Sequence, residues 1–457
     1  MSKPCHIVGN SITLLPLDTN TLQEAIMAEA AYPAEKKRFD YKKTFIVGFG
    51  FLGISIIWPI FNQYIPIILQ AGNPAFETSQ PIRGFALGPT LALFIMTWDN
   101  LLNVFVQPWV GNRSDRTWTR FGRRKPWILL GVPIAVAGFT LIPFAQTAVA
   151  IAAFILITNV GMALFRSPTV SWLGDLYVPD ERSKANGIIN LMGGVGSLLA
   201  FFGGGWLFNH FSAINPEWGR VAPFIGGAIL LIAVMIVPLI GVKEPKEIKL
   251  PEDDDSVWDN FKAIATDKDR RELYVLVGIL LWFMAFNALE AGLSSFAVFT
   301  LGMSPGTASI FAGIIAVSFI VFALPAGLWG TKYGRQRIIQ IGLTGLVLLF
   351  AIAYFLIRDQ ITFAVILVLA GLFWACVNVN SLPLVYDYGD ERKIGAYTGM
   401  YYFFSQSAAV LGPTLGGFAV SQLGNEYRWL FLFSAFFMAL AWIAIRRVKK
   451  AGRGVRG

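Results

Sequence analysis

The sequence predicts an all-α membrane protein with twelve transmembrane helices in two six-helix, pseudo-symmetric bundles. Three observations carry this. Of the 457 residues, 55% are hydrophobic and only 14% charged, against about a quarter charged in soluble globular chains. Unbroken apolar runs of spanning length, about 20 residues, recur twelve times along the chain. The charged loop motifs of the first half return in the second. So little charge cannot coat the surfaces of a soluble protein this long. That excludes a soluble enzyme, a nucleic-acid binder and a disordered chain. Long apolar runs, rather than ten-residue alternating strands, make helices the spanning elements.

The expected spans cover roughly 44–70, 86–111, 126–147, 149–174, 185–209 and 220–242, then 273–300, 308–331, 338–357, 361–386, 394–421 and 427–446. Prolines inside them, such as Pro59, Pro108 and Pro168, are tolerated in membrane helices. Orientation follows from Lys and Arg. One side holds 32 of the 37, the other only Arg83, Arg220, Arg358 and Arg428, and Arg166 lies within a span. The positive-inside rule then places both termini in the cytoplasm of a multi-pass plasma (bacterial inner) membrane protein. The net charge of +9 is spread over short loops, which is topology rather than nucleic-acid recognition.

Residues 1–42 read as a cytoplasmic tail rather than a signal peptide, with a short amphipathic helix around 20–31. Residues 43–242 form the first six-helix unit, 243–272 a charged cytoplasmic linker, 273–446 the second unit and 447–457 a basic tail. Cys5 and Cys376 are isolated, so they make neither a disulfide framework nor a metal site. His6 and His210 lie outside the apolar runs, which removes a His-based metal centre or proton relay. No cofactor is implied.

The halves echo each other. Gly122-Arg123-Arg124-Lys125 follows the second span and Gly334-Arg335-Gln336-Arg337 the eighth, an offset of 212. Asp180-Glu181-Arg182 follows the fourth span and Asp390-Glu391-Arg392 the tenth, an offset of 210. Asp175 and Asp387 precede these triplets. Such recurrence marks parallel repeats. With "GNRSDRTWTRFGRRKPWILLG" at 111–131, the pattern resembles the major facilitator superfamily, and within it the glycoside–pentoside–hexuronide and sucrose/proton symporters. "FRSPTVSWLGDL", "ERSKANGIINLMGG" and "NVNSLPLVYDYGDERKIGAYTGMYYFFSQ" resemble a bacterial branch close to the sucrose and maltose transporters. The resemblance implies the major facilitator fold, alternating access and a conformational role for Asp115, Gly122 and Arg123.

The loop charges suggest a cytoplasmic gate made of Asp115, Arg116, Gly122, Arg123, Arg124, Asp175, Glu181 and Arg182, echoed by Gly334, Arg335, Asp387, Glu391 and Arg392. Arg113 belongs to the same basic cluster. Positive-inside topology explains the cations but not the recurring aspartates. Directional, reversible Arg–carboxylate pairs suit a latch.

Three charges sit well within spans: Asp99, Arg166 and Glu290. Each is costly there and needs a partner, a wet cavity or a proton. Polar residues accompany them at helical spacing. Asp99, Asn103 and Gln107 share a face, with Asn100 adjacent. Trp58 and Asn62 are one turn apart, followed by Gln63 and Tyr64. Asn159 pairs in spacing with Arg166, Asn287 with Glu290, and Trp374, Asn378 and Ser381 share a face beside Asn380. The resemblance makes spans one, four, seven and ten the cavity-lining helices. Amides, carboxylates and indoles suit sugar hydroxyls and pyranose faces. The same amides also hold membrane helices together, and the lesser alternative for Arg166 is a fixed counter-ion that pairs with a carboxylate.

A carboxylate in a low-dielectric cavity holds its proton more tightly, and an approaching guanidinium releases it. Asp99, Glu290 and Arg166 are therefore the expected proton-coupling set. Melibiose-type relatives carry an acidic pair where Asn103 and Gln107 stand here, a departure that disfavours Na⁺ and favours H⁺. The reading is a monomeric, proton-coupled carrier of a maltose- or sucrose-like sugar, with a drug or metabolite exporter and a Na⁺-coupled glycoside symporter as alternatives. Nothing in the sequence assembles an enzyme's nucleophile, metal cluster or nucleotide loop.

Overall fold

The computed structural model describes residues 6–8, 11–13, 39–76, 82–245, 271–388 and 394–448. The expected tail helix around 20–31 lies outside these residues, as do Glu391, Arg392 and most of the central linker. Contacts divide the chain into one unit at Met1–Lys42 and another at Lys43–Gly457. The first contains a small antiparallel hairpin, β1 (His6–Val8) with β2 (Ser11–Thr13).

The helices of the larger unit, the first of which starts two residues before its boundary, are α1 (Tyr41–Gln70), α2 (Pro89–Asp115), α3 (Lys125–Phe144), α4 (Ala148–Leu176), α5 (Asp180–Ile214) and α6 (Pro216–Gly241). The second set is α7 (Arg271–Thr300), α8 (Pro305–Tyr333), α9 (Arg335–Leu356), α10 (Gln360–Tyr388), α11 (Ile394–Gln422) and α12 (Trp429–Arg447). Eleven of them are long and apolar enough to cross a membrane. The twelfth, α11, has the length at 29 residues, but its Gly, Ser, Thr and Gln residues dilute its hydropathy. These polar and small residues are used at an interface between the halves.

Close packing within the first bundle depends on small residues. A Cβ on Gly161 of α4 would sit 2.2 Å from the backbone nitrogen of Ala135 on α3, so only glycine permits this crossing. In the second bundle α7 packs along α11 and α12, and α8 and α9 pack along α10. The core there centres on Trp282, Phe296, Phe350 and Tyr427.

Two departures from uninterrupted helices matter. The first is that α2 breaks at Met96–Thr97, giving helical pieces Pro89–Ile95 and Trp98–Asp115. The Thr97 hydroxyl donates to the Phe94 carbonyl at 2.8 Å and supports the break. The second is a pair of wider π turns, Leu199–Gly203 inside α5 and Phe296–Thr300 ending α7. The two repeated loop glycines have the same backbone conformation, with φ +114° at Gly122 and +95° at Gly334. Side chains with a Cβ rarely adopt it, so both repeats need glycine at that corner.

The two sets of helices meet along α2–α11 and α5–α8. Their hydrogen bonds are concentrated at the end away from the Lys/Arg-rich loops. There the Thr90 and Ser421 hydroxyls are 2.8 Å apart. The Ser304 hydroxyl donates to Asn209 at 2.7 Å, and Gln70 donates to the Ser295 hydroxyl at 3.0 Å. Tyr427 donates to Gln70. Phe76 stacks on Phe299 with centroids 4.6 Å apart. At the basic end, the contacts of Arg123 with Asp175, Arg335 with Asp387, Gln336 with Ile445 and Tyr397 with Glu272 each lie within one set. Among the described residues, these ties between the two sets lie at the end away from the basic loops.

Cysteines replacing Thr90 and Ser421 should cross-link under mild oxidation, because their hydroxyls already touch. Mass spectrometry of the linked peptide checks this. The same pair reduced should restore wild-type behaviour.

Candidate functional site

The break in α2 places Asp99 in the first turn of a new helix. The leading N–H groups of a helix lack intrahelical partners and carry the positive end of its dipole. The Asp99 carboxylate interacts with the backbone N–H of Asn100 and accepts a 2.9 Å hydrogen bond from the Asn100 side chain. An anion deep in the protein is thereby stabilised by local geometry. The sequence pattern showed Asp99, Asn103 and Gln107 on one face but not the break that gives Asp99 this setting.

Arg166 and Glu290 both act electrostatically on Asp99, one attracting and the other repelling it. Arg166 is also influenced by Tyr402 of α11. Charges from α2, α4 and α7 are thus brought into one field. All three side chains keep some water-accessible surface although surrounded by protein. Among the described residues none of the three forms a direct ion pair. Three partly solvated charges, close enough to interact and not locked together, are suited to changing partners.

The other polar residues of the expected site fall into two groups. Trp58, Asn62, Asn100, Asn103, Asn287 and Asn378 are partly accessible. The Trp58 indole N–H, the Gln63 Oε1 and both side-chain polar atoms of Asn159 are buried without a hydrogen-bond partner among the described residues. Buried polar atoms normally find partners, so these are open to water or a polar ligand. Trp374 is already occupied, stacked on Phe286 at 3.9 Å and 3°.

The second group is used structurally. Asn380 donates to the Ala326 carbonyl at 3.1 Å and the Cys376 carbonyl at 3.0 Å, fastening α10 to α8. Ser381 donates to the Asn378 carbonyl at 2.7 Å and lies 3.0 Å from the Tyr401 hydroxyl. Tyr64 stacks on Phe208 at 5.6 Å, on the helix side opposite Asn62, although its hydroxyl too is buried without a hydrogen-bond partner among the described residues. The structure does not bring these three side chains to the face that carries Trp58 and Asn62. Asn287 donates to its own helix, at the Phe283 carbonyl, which leaves its oxygen available. Glycine packing explains the position of Asn380: a Cβ on Gly330 would overlap its side chain.

At the basic end the first repeat forms a dense ionic cluster. Arg123 reaches Asp175 at 2.8 Å and Asp115 at 3.9 Å. Arg124 pairs with Asp115 and makes a two-pronged contact with Asp175 at 2.8 and 3.3 Å. Both arginines are about 95% buried. Arg182 caps the end of α4 through the Tyr177 and Gly174 carbonyls, and Glu181 lies in the first turn of α5, where the dipole favours an acid. Among the described residues Arg113 and Arg116 enter no ion pair.

Glu244 completes this cluster, and the sequence reading missed it. Its carboxylate accepts from the backbone N–H groups of Arg123, Arg124 and Lys125 and from the Trp172 indole. It fills the N-terminus of α3 while arriving from the end of α6. Its only sequence signal was an acidic residue in a basic loop. In the second repeat the described residues form a more exposed contact. Arg335 pairs with Asp387, both substantially exposed, and Gln336 instead donates to the Ile445 and Val448 carbonyls of α12.

Removing a partner from a buried ion pair costs about 3–5 kcal/mol, against 1 kcal/mol or less for exposed pairs. Asp175→Asn should therefore lower stability by about 3 kcal/mol, and Asp387→Asn by less than about 1 kcal/mol. Thermal unfolding in detergent compares them directly. Equal losses would contradict the burial difference.

Residues 82–443 match the family model for MFS/sugar transport proteins. The class B tetracycline resistance protein of Escherichia coli is 23% identical over 80% of this chain and 84% of its own length. The Arabidopsis thaliana sucrose transport protein SUC4 is 30% identical, but over only 33% of this chain and 34% of that one. Among solved structures, the nucleoside transporter NupG superposes with a TM-score of 0.69 at 15% identity, covering 89% of this chain and all of that one. An inward-facing, occupied bacterial homolog of the lysosomal transporter Spinster reaches 0.66 at 17% identity, covering 89% and 95%. These likenesses establish the major facilitator fold and a multi-pass membrane transporter rather than an enzyme. With its family model matched across both helical bundles, the chain belongs to the MFS/sugar transport protein family.

Proposed function

We propose that this transporter imports a disaccharide or glucoside, of maltose or sucrose type, together with a proton, as a monomer in the bacterial inner membrane with both termini cytoplasmic. The observation that carries the reading is the shared field of Asp99, Arg166 and Glu290, contributed by three helices and left without direct pairing. A proton is the one coupling ion this set handles simply. Arg166 attracts the ionised Asp99 and Glu290 repels it, so any rocking that alters those separations loads or unloads a proton. Sodium needs several oxygen ligands, and Asn103 and Gln107 offer neutral amides instead of a second acidic pair.

The polar surroundings favour a sugar. Trp58, Asn62 and Asn159 present an indole face and unsatisfied amide atoms, and hydroxyls satisfy both donors and acceptors. The ties at the end away from the basic loops support an inward-facing state, in which Asp99 would release its proton toward the cytoplasm. In the alternate state the basic ends of the two sets would meet and close the cytoplasmic gate, with Asp115, Arg123 and Arg124 held in the cluster already formed on the first set.

The long match to a tetracycline resistance protein keeps export of a drug or metabolite as the second reading. Reconstitution separates the two. Labelled maltose or sucrose should exchange in counterflow, and an inward proton gradient should drive its accumulation. No exchange with any glucoside, together with gradient-driven efflux of a hydrophobic cation, would replace the sugar reading with export.

Within the sugar reading, Asp99→Asn should abolish uphill accumulation while counterflow persists, because exchange needs the binding face but no net proton movement. Undiminished proton-driven uptake in this variant would move the coupling role to Glu290.

A further inference from the structure

The end opposite the basic loops holds a charged pocket that the coupling cluster does not use. Arg220, in the opening turns of α6, is 5% exposed. Its Nε and Nη2 are buried without a hydrogen-bond partner among the described residues. The Ser212 hydroxyl, near the end of α5, is likewise buried and unpartnered. It presses on Gly219, where a Cβ would lie 1.7 Å away, so it stands beside the Arg220 backbone. Arg83, from the segment leading into α2, lines the same pocket and repels Arg220. Glu217 attracts Arg220 without forming an ion pair among the described residues.

Among the described residues the charge balance in the pocket is uneven: two guanidiniums face one carboxylate. A buried guanidinium without partners is strongly unfavourable. Water would answer its hydrogen bonds but not its charge. The enclosed space is about 20 Å³, enough for one particle of roughly water size. It opens past Arg83 and Glu217 into a wider vestibule. Phe208 of α5 and Pro305, the first residue of α8, wall it.

We propose that this pocket binds one small inorganic anion of chloride size between Arg83 and Arg220, with Ser212 donating a further hydrogen bond. The narrow space favours a monatomic anion over sulfate or an acidic sugar. Because Pro305 belongs to the second helical set, the pocket loses a wall when the two sets separate at this end. Bound anion therefore favours the closed arrangement seen here. The site stands apart from whichever substrate the central cavity carries.

The test uses the purified full-length chain in lipid nanodiscs, with sodium chloride replacing sodium gluconate at constant ionic strength. Chloride should raise the unfolding midpoint saturably, as a ligand of the folded state does, and bromide should substitute for it while sulfate does not. Arg220→Gln risks unfolding, so the decisive variant is Arg83→Gln, on an exposed non-helical segment. It should weaken the half-saturating chloride concentration by about tenfold, the size expected for a charge-assisted hydrogen bond, and Glu217→Gln should strengthen it. Bromide-soaked crystals should show an anomalous peak between Arg83 and Arg220. Equal midpoints in chloride and gluconate, an unchanged chloride response in Arg83→Gln, or a refined water with no anomalous signal at the site would each overturn the proposal.

Discussion

The hydrocarbon core of a bilayer offers no hydrogen bond and little screening, so every polar group placed there must be answered by the protein itself. Asp99, Arg166 and Glu290 are the sharpest instance. The molecule does not neutralise them by tight pairing. It gives Asp99 a helix N-terminus and an Asn100 amide, and it keeps all three charges partly wetted within reach of one another. The break in α2 is therefore both a cost to helix continuity and the source of a charge that can change its surroundings.

The same constraint explains the division of labour among the amides. Asn380 and Ser381 spend their hydrogen bonds between helices, and α8, α10 and α11 stay in register because of them. Trp58, Gln63 and Asn159 retain unanswered atoms. By residue type the two groups are indistinguishable. What separates them is whether a neighbouring carbonyl or hydroxyl lies within reach, and that depends on helix crossing, which glycines such as Gly330 and Gly161 permit.

The repeat is similarly unequal in its details. Both halves place a glycine of positive φ after their second helix and an arginine against an aspartate. Among the described residues, the first corner adds a second buried arginine and the Glu244 carboxylate at the start of α3, while the Arg335–Asp387 pair of the second is substantially exposed.

The sequence by itself determined the membrane class, the order and nearly the bounds of twelve helices, the repeated corners and the three intramembrane charges. These are legible because they rest on local properties: apolar run length, the φ that only glycine tolerates, and the energy of a charge in lipid. Only the tertiary structure decided that α2 breaks just before Asp99, that Glu244 returns from α6 to cap α3, and that Asn380, Ser381 and Tyr64 turn from the cavity face to their neighbours. Each of those depends on contacts between residues far apart in the chain, and helical periodicity gives the face of a side chain without giving what stands opposite it.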